Sequence, residues 1–169
     1  MEVEKAIRTL LAVRSYQDKP VDDATVTRIV EAGRLTGSSR NRQEWNFVVV
    51  RNRETLRQLG ALATTGRFIA DAALAIAVVV PNNASGQMDG ARATQDMMLV
   101  AWGAGIGSCW VGNMNRPEVK TLLAVPEDQM IITVIPFGYP QEKLGAGRKN
   151  RKPLGEVAHA ERFGVPYTG

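Results

Sequence analysis

Thr36-Gly37-Ser38-Ser39-Arg40-Asn41-Arg42-Gln43-Glu44-Trp45 joins a segment of helical periodicity, ending near Leu35, to the β-branched run from Trp45 to Val50. A helix that passes through a polar connection into a lone apolar strand is the pattern that decides the fold. Helices and strands are mixed along this chain without strict βαβ alternation, which predicts an α+β architecture rather than a doubly wound sheet. The connection itself concentrates glycine, hydroxyls, amides and two guanidiniums, more hydrogen-bonding capacity than a connector needs. One reading is a solvated turn; the other is a loop built to hold a polar group.

Upstream of this stretch, Val3, Ala6, Ile7, Leu10 and Leu11 recur at helical spacing, which predicts an amphipathic helix to about Ala12. Pro20 interrupts, and Asp22 or Asp23 can cap a second helix whose apolar face is Val26, Ile29, Val30 and Leu35. Gly33 on that helix allows close approach of a neighbour. Downstream, Trp45 to Val50 reads as a central strand, Glu54 to Ala63 as a helix, and Ala73 to Val80 as a strand apolar on both faces. Gln87 to Trp102 carries Ala91, Gln95, Met98, Leu99 and Trp102 at helical intervals and predicts a long buried helix, stopped by Gly103, Gly105 and Gly107. Ser108 to Val111 is a short strand, Arg116 to Leu123 a short helix, and Met130 to Phe137 a strand long enough for a sheet centre. From Tyr139 to Gly169 the pattern dissolves into irregular sequence too sparse in periodic apolar residues to bury much against its own body.

The 169 residues, with 44% hydrophobic content, suit one globular domain over 1–169, of which 139–169 is a tail that reaches elsewhere. A net charge of +4 is a mild surplus, and 6% aromatic content without a reading motif argues against a nucleic-acid partner. A small anionic ligand accounts for the charge as well. Cys109 is the single cysteine and His159 the single histidine, so no disulfide framework, metal site or nucleophilic triad is expected. The opening Met1-Glu2-Val3-Glu4-Lys5 lacks a basic-then-apolar leader, and no apolar run reaches membrane-spanning length. The expectation is a cytoplasmic protein with no membrane partner.

Gly103-Ala104-Gly105-Ile106-Gly107 follows a helix and precedes a strand, the reverse of a dinucleotide fingerprint. It reads as a helix stop, and as side-chain-free backbone that a flat ring could approach. Lys143, Arg148, Lys149, Arg151 and Lys152 form a run of cations without an acid, either a solvated basic tail or an anion site.

Several of these stretches together resemble the nitroreductase family, in order along nearly the whole chain. Gly37-Ser38-Ser39-x-Asn41-x-Gln43-x-Trp45 is similar to its flavin-binding loop, usually Pro-Ser-x-x-Asn-x-Gln-Pro-Trp, with Glu44 in place of the second proline. Gln95 to Gly112 resembles the blocks that wall the isoalloxazine, Asp96 standing where the family usually has Asn. Lys149-x-Arg151 looks like the C-terminal signature that holds the FMN phosphate. Val13-Arg14 before Asp18-Lys19-Pro20-Val21 aligns to a segment normally reading Arg-Arg-Ser-x-Arg. Leu10, Leu11 and Ala12 take the first three positions and Arg14 alone keeps the pattern, unless a shift places Arg14-Ser15 on the Arg-Ser pair.

The resemblance implies an antiparallel-rich sheet flanked by helices and a homodimer with FMN at the subunit interface. The tail would extend onto the partner. It implies Arg14, Ser38, Ser39, Asn41, Gln43, Gly105, Ile106, Gly107, Lys149 and Arg151 as cofactor-binding residues, with Arg40 or Arg42 as further cations for the phosphate. No protein residue is implied as catalytic, since flavin N5 carries the chemistry. Electrons would pass from NADH or NADPH to a small organic acceptor, such as a nitroaromatic or quinone, in a ping-pong cycle. A flavin-binding protein without turnover, for storage or delivery, is the alternative.

Overall fold

The computed structural model describes residues 1–142 and 149–167. In chain order the elements are α1 (Val3–Thr9), α2 (Asp23–Arg34), β1 (Asn46–Val50), α3 (Arg53–Leu62), β2 (Leu74–Pro81), α4 (Ala84–Gly103), β3 (Gly107–Ser108), α5 (Arg116–Leu122) and β4 (Gln129–Gly138). Short 3-10 turns lie at Ser39–Asn41, Arg67–Asp71 and Leu154–Glu156. The four strands run in the order β1-β2-β4-β3, each antiparallel to its neighbour.

Strand β2 is apolar on both faces because both are covered. Leu74, Ile76, Val78 and Val80 face the α2 and α4 side, with Ile29, Met97 and Ala101, while the smaller Ala75, Ala77 and Val79 face Leu56, Leu59 and Val119 from α3 and α5. The result is a helix–sheet–helix sandwich. A register shift at Val78/Val79 skips Ile132 of β4, which packs in the α2/α4 core while Ile131 packs in the α3/α5 core.

Helix α2 begins where Asp22 accepts the Thr25 amide at 2.8 Å, the capping geometry the sequence allows. Its Gly33 is the point of closest approach: a Cβ there would stand 2.8 Å from Phe47 Cζ and 3.1 Å from Met97 Cγ. Three expectations shift. Helix α1 stops at Thr9 because Ala12 is extended, bridged in parallel to Ser108, and Val13 donates its amide to Ser108 O at 2.9 Å. Strand β1 is an edge strand of this chain's sheet, with Val49 39% exposed. In α4 the buried face is Asp89, Gly90, Ala93, Thr94, Met97, Met98 and Ala101, whereas Ala91 and Gln95 are exposed.

Candidate functional site

The polar loop is fixed on α4. Thr36 donates its hydroxyl to Asp96 Oδ2 at 2.5 Å at the loop entry, and Ser39 donates its amide to Asp89 Oδ2 at 2.8 Å and its hydroxyl to Asp89 Oδ1 at 3.3 Å. Within the loop, Asn41 N–H donates to Ser38 O at 3.0 Å and Gln43 N–H to Ser38 Oγ at 3.0 Å. Gln43 Nε2 donates to Asn41 Oδ1 at 3.1 Å. Trp45 is buried and anchors the exit.

These bonds hold an unusual backbone. Arg40, Asn41 and Gln43 have φ of 54°, 56° and 56°, the left-handed region that costs a non-glycine residue roughly 1–2 kcal/mol. Strain of this kind persists only where surroundings over-determine it, and it concentrates at functional sites. The side chains of Arg40, Asn41, Arg42 and Gln43 are exposed as a result. Arg42 is 3.8 Å from Glu44.

A second group forms at the other end of α4. Gly105, at φ +76°, ends the helix and leaves open space where a Cβ would be, beside a cavity of about 450 Å³ lined also by Thr9, Trp102 and Tyr139. Ile106 and Gly107 are buried, so of the three glycine-stretch residues expected at a ring, Gly105 alone is exposed. Arg14 is placed by its neighbours. Gly107 and Gly138 face each other across the β3–β4 ladder, and on this side-chain-free floor Val13 packs over Gly107 and Tyr16 over Gly138. Arg14, exposed between them, lies beside the Cys109 thiol.

Burial pushes the Cys109 thiol up, and the Arg14 charge partly opposes this. Tyr16 is buried and donates its hydroxyl to Val13 O at 2.7 Å; burial, with the neighbouring Cys109, drives its phenol well above the ordinary tyrosine value. Beyond Cys109, Trp110 is 43% exposed and its indole covers Gly112, whose Cβ would stand 3.1 Å from Trp110 Nε1. Trp110 is thus open surface and Gly112 half-buried beneath it, next to the glycine stretch from which the cofactor-binding residues were expected.

The tail reaches the body at two places. Tyr139 and Gln141 belong to it: Gln17 N–H donates to Tyr139 O at 2.9 Å and Gln141 N–H to Ser15 O at 3.0 Å. Lys149 donates to the Ile7 carbonyl near the C-terminus of α1, and Arg151 Nη1 to Asn150 O at 3.0 Å. Lys143 and Arg148 of the basic run lie outside the described residues. Leu154, Val157, Phe163 and Tyr167 are exposed by 66%, 58%, 94% and 50% among the described residues, a stretch of largely open apolar surface.

The structure thus places the expected loop residues and the Arg14 and Gly105 residues in two groups rather than one, while Lys149 sits against α1. The loop carrying Ser38, Ser39, Asn41 and Gln43 is tied through Ser39 to Asp89 in the first half of α4, and Gly105 lies two residues beyond its end at Gly103. From Asp89 to Gly103 is fourteen residues, about 21 Å at 1.5 Å per residue. Among the described residues there is no group of three side chains suited to a metal ion, and no helix is long and apolar enough to cross a membrane.

The sequence profile of the nitroreductase family matches residues 8–92, and a second nitroreductase profile matches 60–166. A protein of Archaeoglobus fulgidus described as an NADH dehydrogenase/NAD(P)H nitroreductase is 33% identical over 152 residues, covering 84% of this chain and 87% of the relative. An FMN reductase [NAD(P)H] of Bacillus subtilis is 23% identical over 96% of this chain and 74% of its own length. Among solved structures, an NADH dehydrogenase/NAD(P)H nitroreductase from Parabacteroides distasonis superimposes with a TM-score of 0.87 at 27% identity, covering 95% of this chain and 98% of that one.

Proposed function

The chain belongs to the nitroreductase family, and from that premise we propose that it is an FMN-dependent oxidoreductase that transfers electrons from NADH or NADPH to a small organic acceptor such as a nitroaromatic or quinone. The observation that carries this reading is the loop Ser38 to Gln43, held in left-handed backbone so that its amides and guanidiniums face outward. Its donors suit the polar edge of a flavin, and the cations Arg14, Lys149 and Arg151 suit a phosphate and an electron-rich ring. FMN, when bound, supplies the hydride chemistry that a chain with one histidine and one buried cysteine does not.

The residues themselves bind and orient. Arg14, exposed between Val13 and Tyr16, which pack on Gly107 and Gly138, would place a positive charge where negative charge builds on a bound ring. Gly105 offers backbone without a side chain to approach it. In this reading donor and acceptor would occupy the space beside Gly105 in turn, the condition for ping-pong kinetics.

The site is completed by a second copy of the chain. The loop group and the Arg14 group are too far apart along α4 to meet on one ring system, and a homodimer would bring the loop of one protomer to the Arg14 of its partner. The apolar tail residues from Leu154 to Tyr167 would be covered by the same association. One domain over 1–169 is retained in this reading.

A flavin-binding protein without turnover is favoured by two features: Leu10, Leu11 and Ala12 replace the family's polar segment, and Lys149 is engaged by a backbone carbonyl. Adding NADH or NADPH to the flavin-loaded protein without oxygen separates the two. Bleaching of the flavin spectrum, reversed by a quinone, is expected of the oxidoreductase; a spectrum unchanged by both nucleotides would leave only binding.

A further inference from the structure

Among the described residues, Asp89 is the one charged residue buried to the level of the core, at 6% exposure. A carboxylate in that position is costly unless donors compensate it. Capping does not explain it, because Asn83 caps α4 and Asp89 lies beyond the first turn. Its burial follows from its neighbour: a Cβ on Gly90 would stand 2.8 Å from Ile132 Cδ1 and Val80 Cγ1, so the helix backbone is drawn down onto the sheet there.

The compensating groups are the Ser39 amide at 2.8 Å, the Ser39 hydroxyl at 3.3 Å and, as a longer ion pair, the Arg92 guanidinium at 3.6 Å. Two of these three come from the loop. The other hydrogen bonds of Ser38 to Gln43 are internal to the turn, so Ser39–Asp89 is what ties the strained turn itself to the rigid helix. We propose that Asp89 is the positioning residue of this loop: by gripping Ser39 it holds Arg40, Asn41 and Gln43 in left-handed backbone and so fixes the side chains that would receive the flavin. Asp89 is buried behind the loop and acts through Ser39. The inference rests on the flavin reading of the loop, but the grip itself is testable without flavin.

The test compares wild type with Asp89→Ala, Asp89→Asn and Ser39→Ala. Trypsin cleavage after Arg40 and Arg42 is followed by mass spectrometry without flavin, and the FMN dissociation constant is measured by fluorescence quenching. In Asp89→Ala, cleavage at these two arginines should rise about tenfold over cleavage elsewhere, and FMN affinity should fall about tenfold, the size expected for losing a hydrogen bond to a charged acceptor. Asp89→Asn should recover most of both, since its carboxamide oxygen still accepts the Ser39 amide. Ser39→Ala, losing only the hydroxyl bond, should move both in the same direction by less. Wild-type cleavage at Arg40 and Arg42 in the alanine variant would overturn the proposal, as would an equal rise at every site, which marks general loosening. If Asp89→Ala does not fold, the ratio of loop to general cleavage in Ser39→Ala decides in the same way. Absence of FMN uptake by wild type would refute the flavin reading and leave the cleavage ratio to judge the grip.

Discussion

Gly107 and Gly138 stand opposite each other on β3 and β4, and neither has room for a side chain: a Cβ on Gly107 would be 2.5 Å from Val13 Cγ2, and one on Gly138 2.9 Å from Tyr16 Cδ1. Their φ angles are not positive, so what these glycines provide is space. Gly107→Ala should therefore overpack against a β-branched side chain that has no free rotamer, costing about 1–3 kcal/mol in a denaturant titration. Because Val13 carries Arg14, the same change should also weaken flavin binding. Gly105→Ala is the contrast, a strained φ of +76° with open space around it. It should lower stability by about 1 kcal/mol.

Tyr16 predicts an alkaline weakness. Its folded-state phenol ionises well above the ordinary value of 10.0 because it is buried, so the unfolded chain loses this proton first as pH rises. Stability should be full below about pH 10 and fall above it, since the folded state then binds the extra proton. Cys109, raised by burial in the same sense, adds to the fall. Tyr16→Phe should cost about 0.5–1.5 kcal/mol near neutrality, for the lost bond to Val13 O. It should flatten the slope between about pH 9 and about pH 11. Urea titrations of both proteins across that range measure the difference, and parallel slopes would show that Tyr16 is not the titrating group.

Much of this could be read from the chain. The α+β pattern, the strands and the loop carry local signals, namely β-branched runs, a capping aspartate and concentrated turn residues. Long-range partners were less legible. Strand β1 carries the same β-branched run as a central strand although Val49 on it is 39% exposed, and nothing local states that its outer edge is unpaired. The face of α4 was mis-phased since the helix buries small residues, Gly90, Ala93 and Ala101, against the sheet, which periodicity of large apolar side chains overlooks. Asp89 carries no local signal, because its partner Ser39 lies fifty residues away in sequence. Trp110 and Gly112 fall within the block resembling the isoalloxazine wall, but the cofactor-binding set draws only Gly105, Ile106 and Gly107 from it, two of which are buried while Trp110 is 43% exposed.

Arg14→Ala should weaken FMN by roughly 10- to 100-fold, the range expected for one charge-assisted contact. Arg14 is exposed and its neighbours make the packing contacts, so the melting temperature without flavin should scarcely move. Flavin fluorescence titration is the measurement, and unchanged affinity would remove Arg14 from the site.

Truncation after Glu142 spares the bonds that Tyr139 and Gln141 make with Gln17 and Ser15 while deleting the exposed apolar residues of the tail. The shortened chain should elute as a monomer, or as a dimer that dissociates on dilution, and should bind FMN poorly. Adding FMN to the full chain should strengthen its dimer by mass action. A monodisperse truncated dimer with normal FMN affinity would show that the tail serves neither association nor the cofactor.

The most direct test is the spectrum of the purified chain after incubation with excess FMN and removal of the unbound fraction. If the loop on Asp89 and the surface around Arg14 form one site across two protomers, the protein retains close to one flavin per chain and elutes as a flavin-bearing dimer. A protein that emerges colourless from the column, with no flavin absorbance at any protein concentration, contradicts the account.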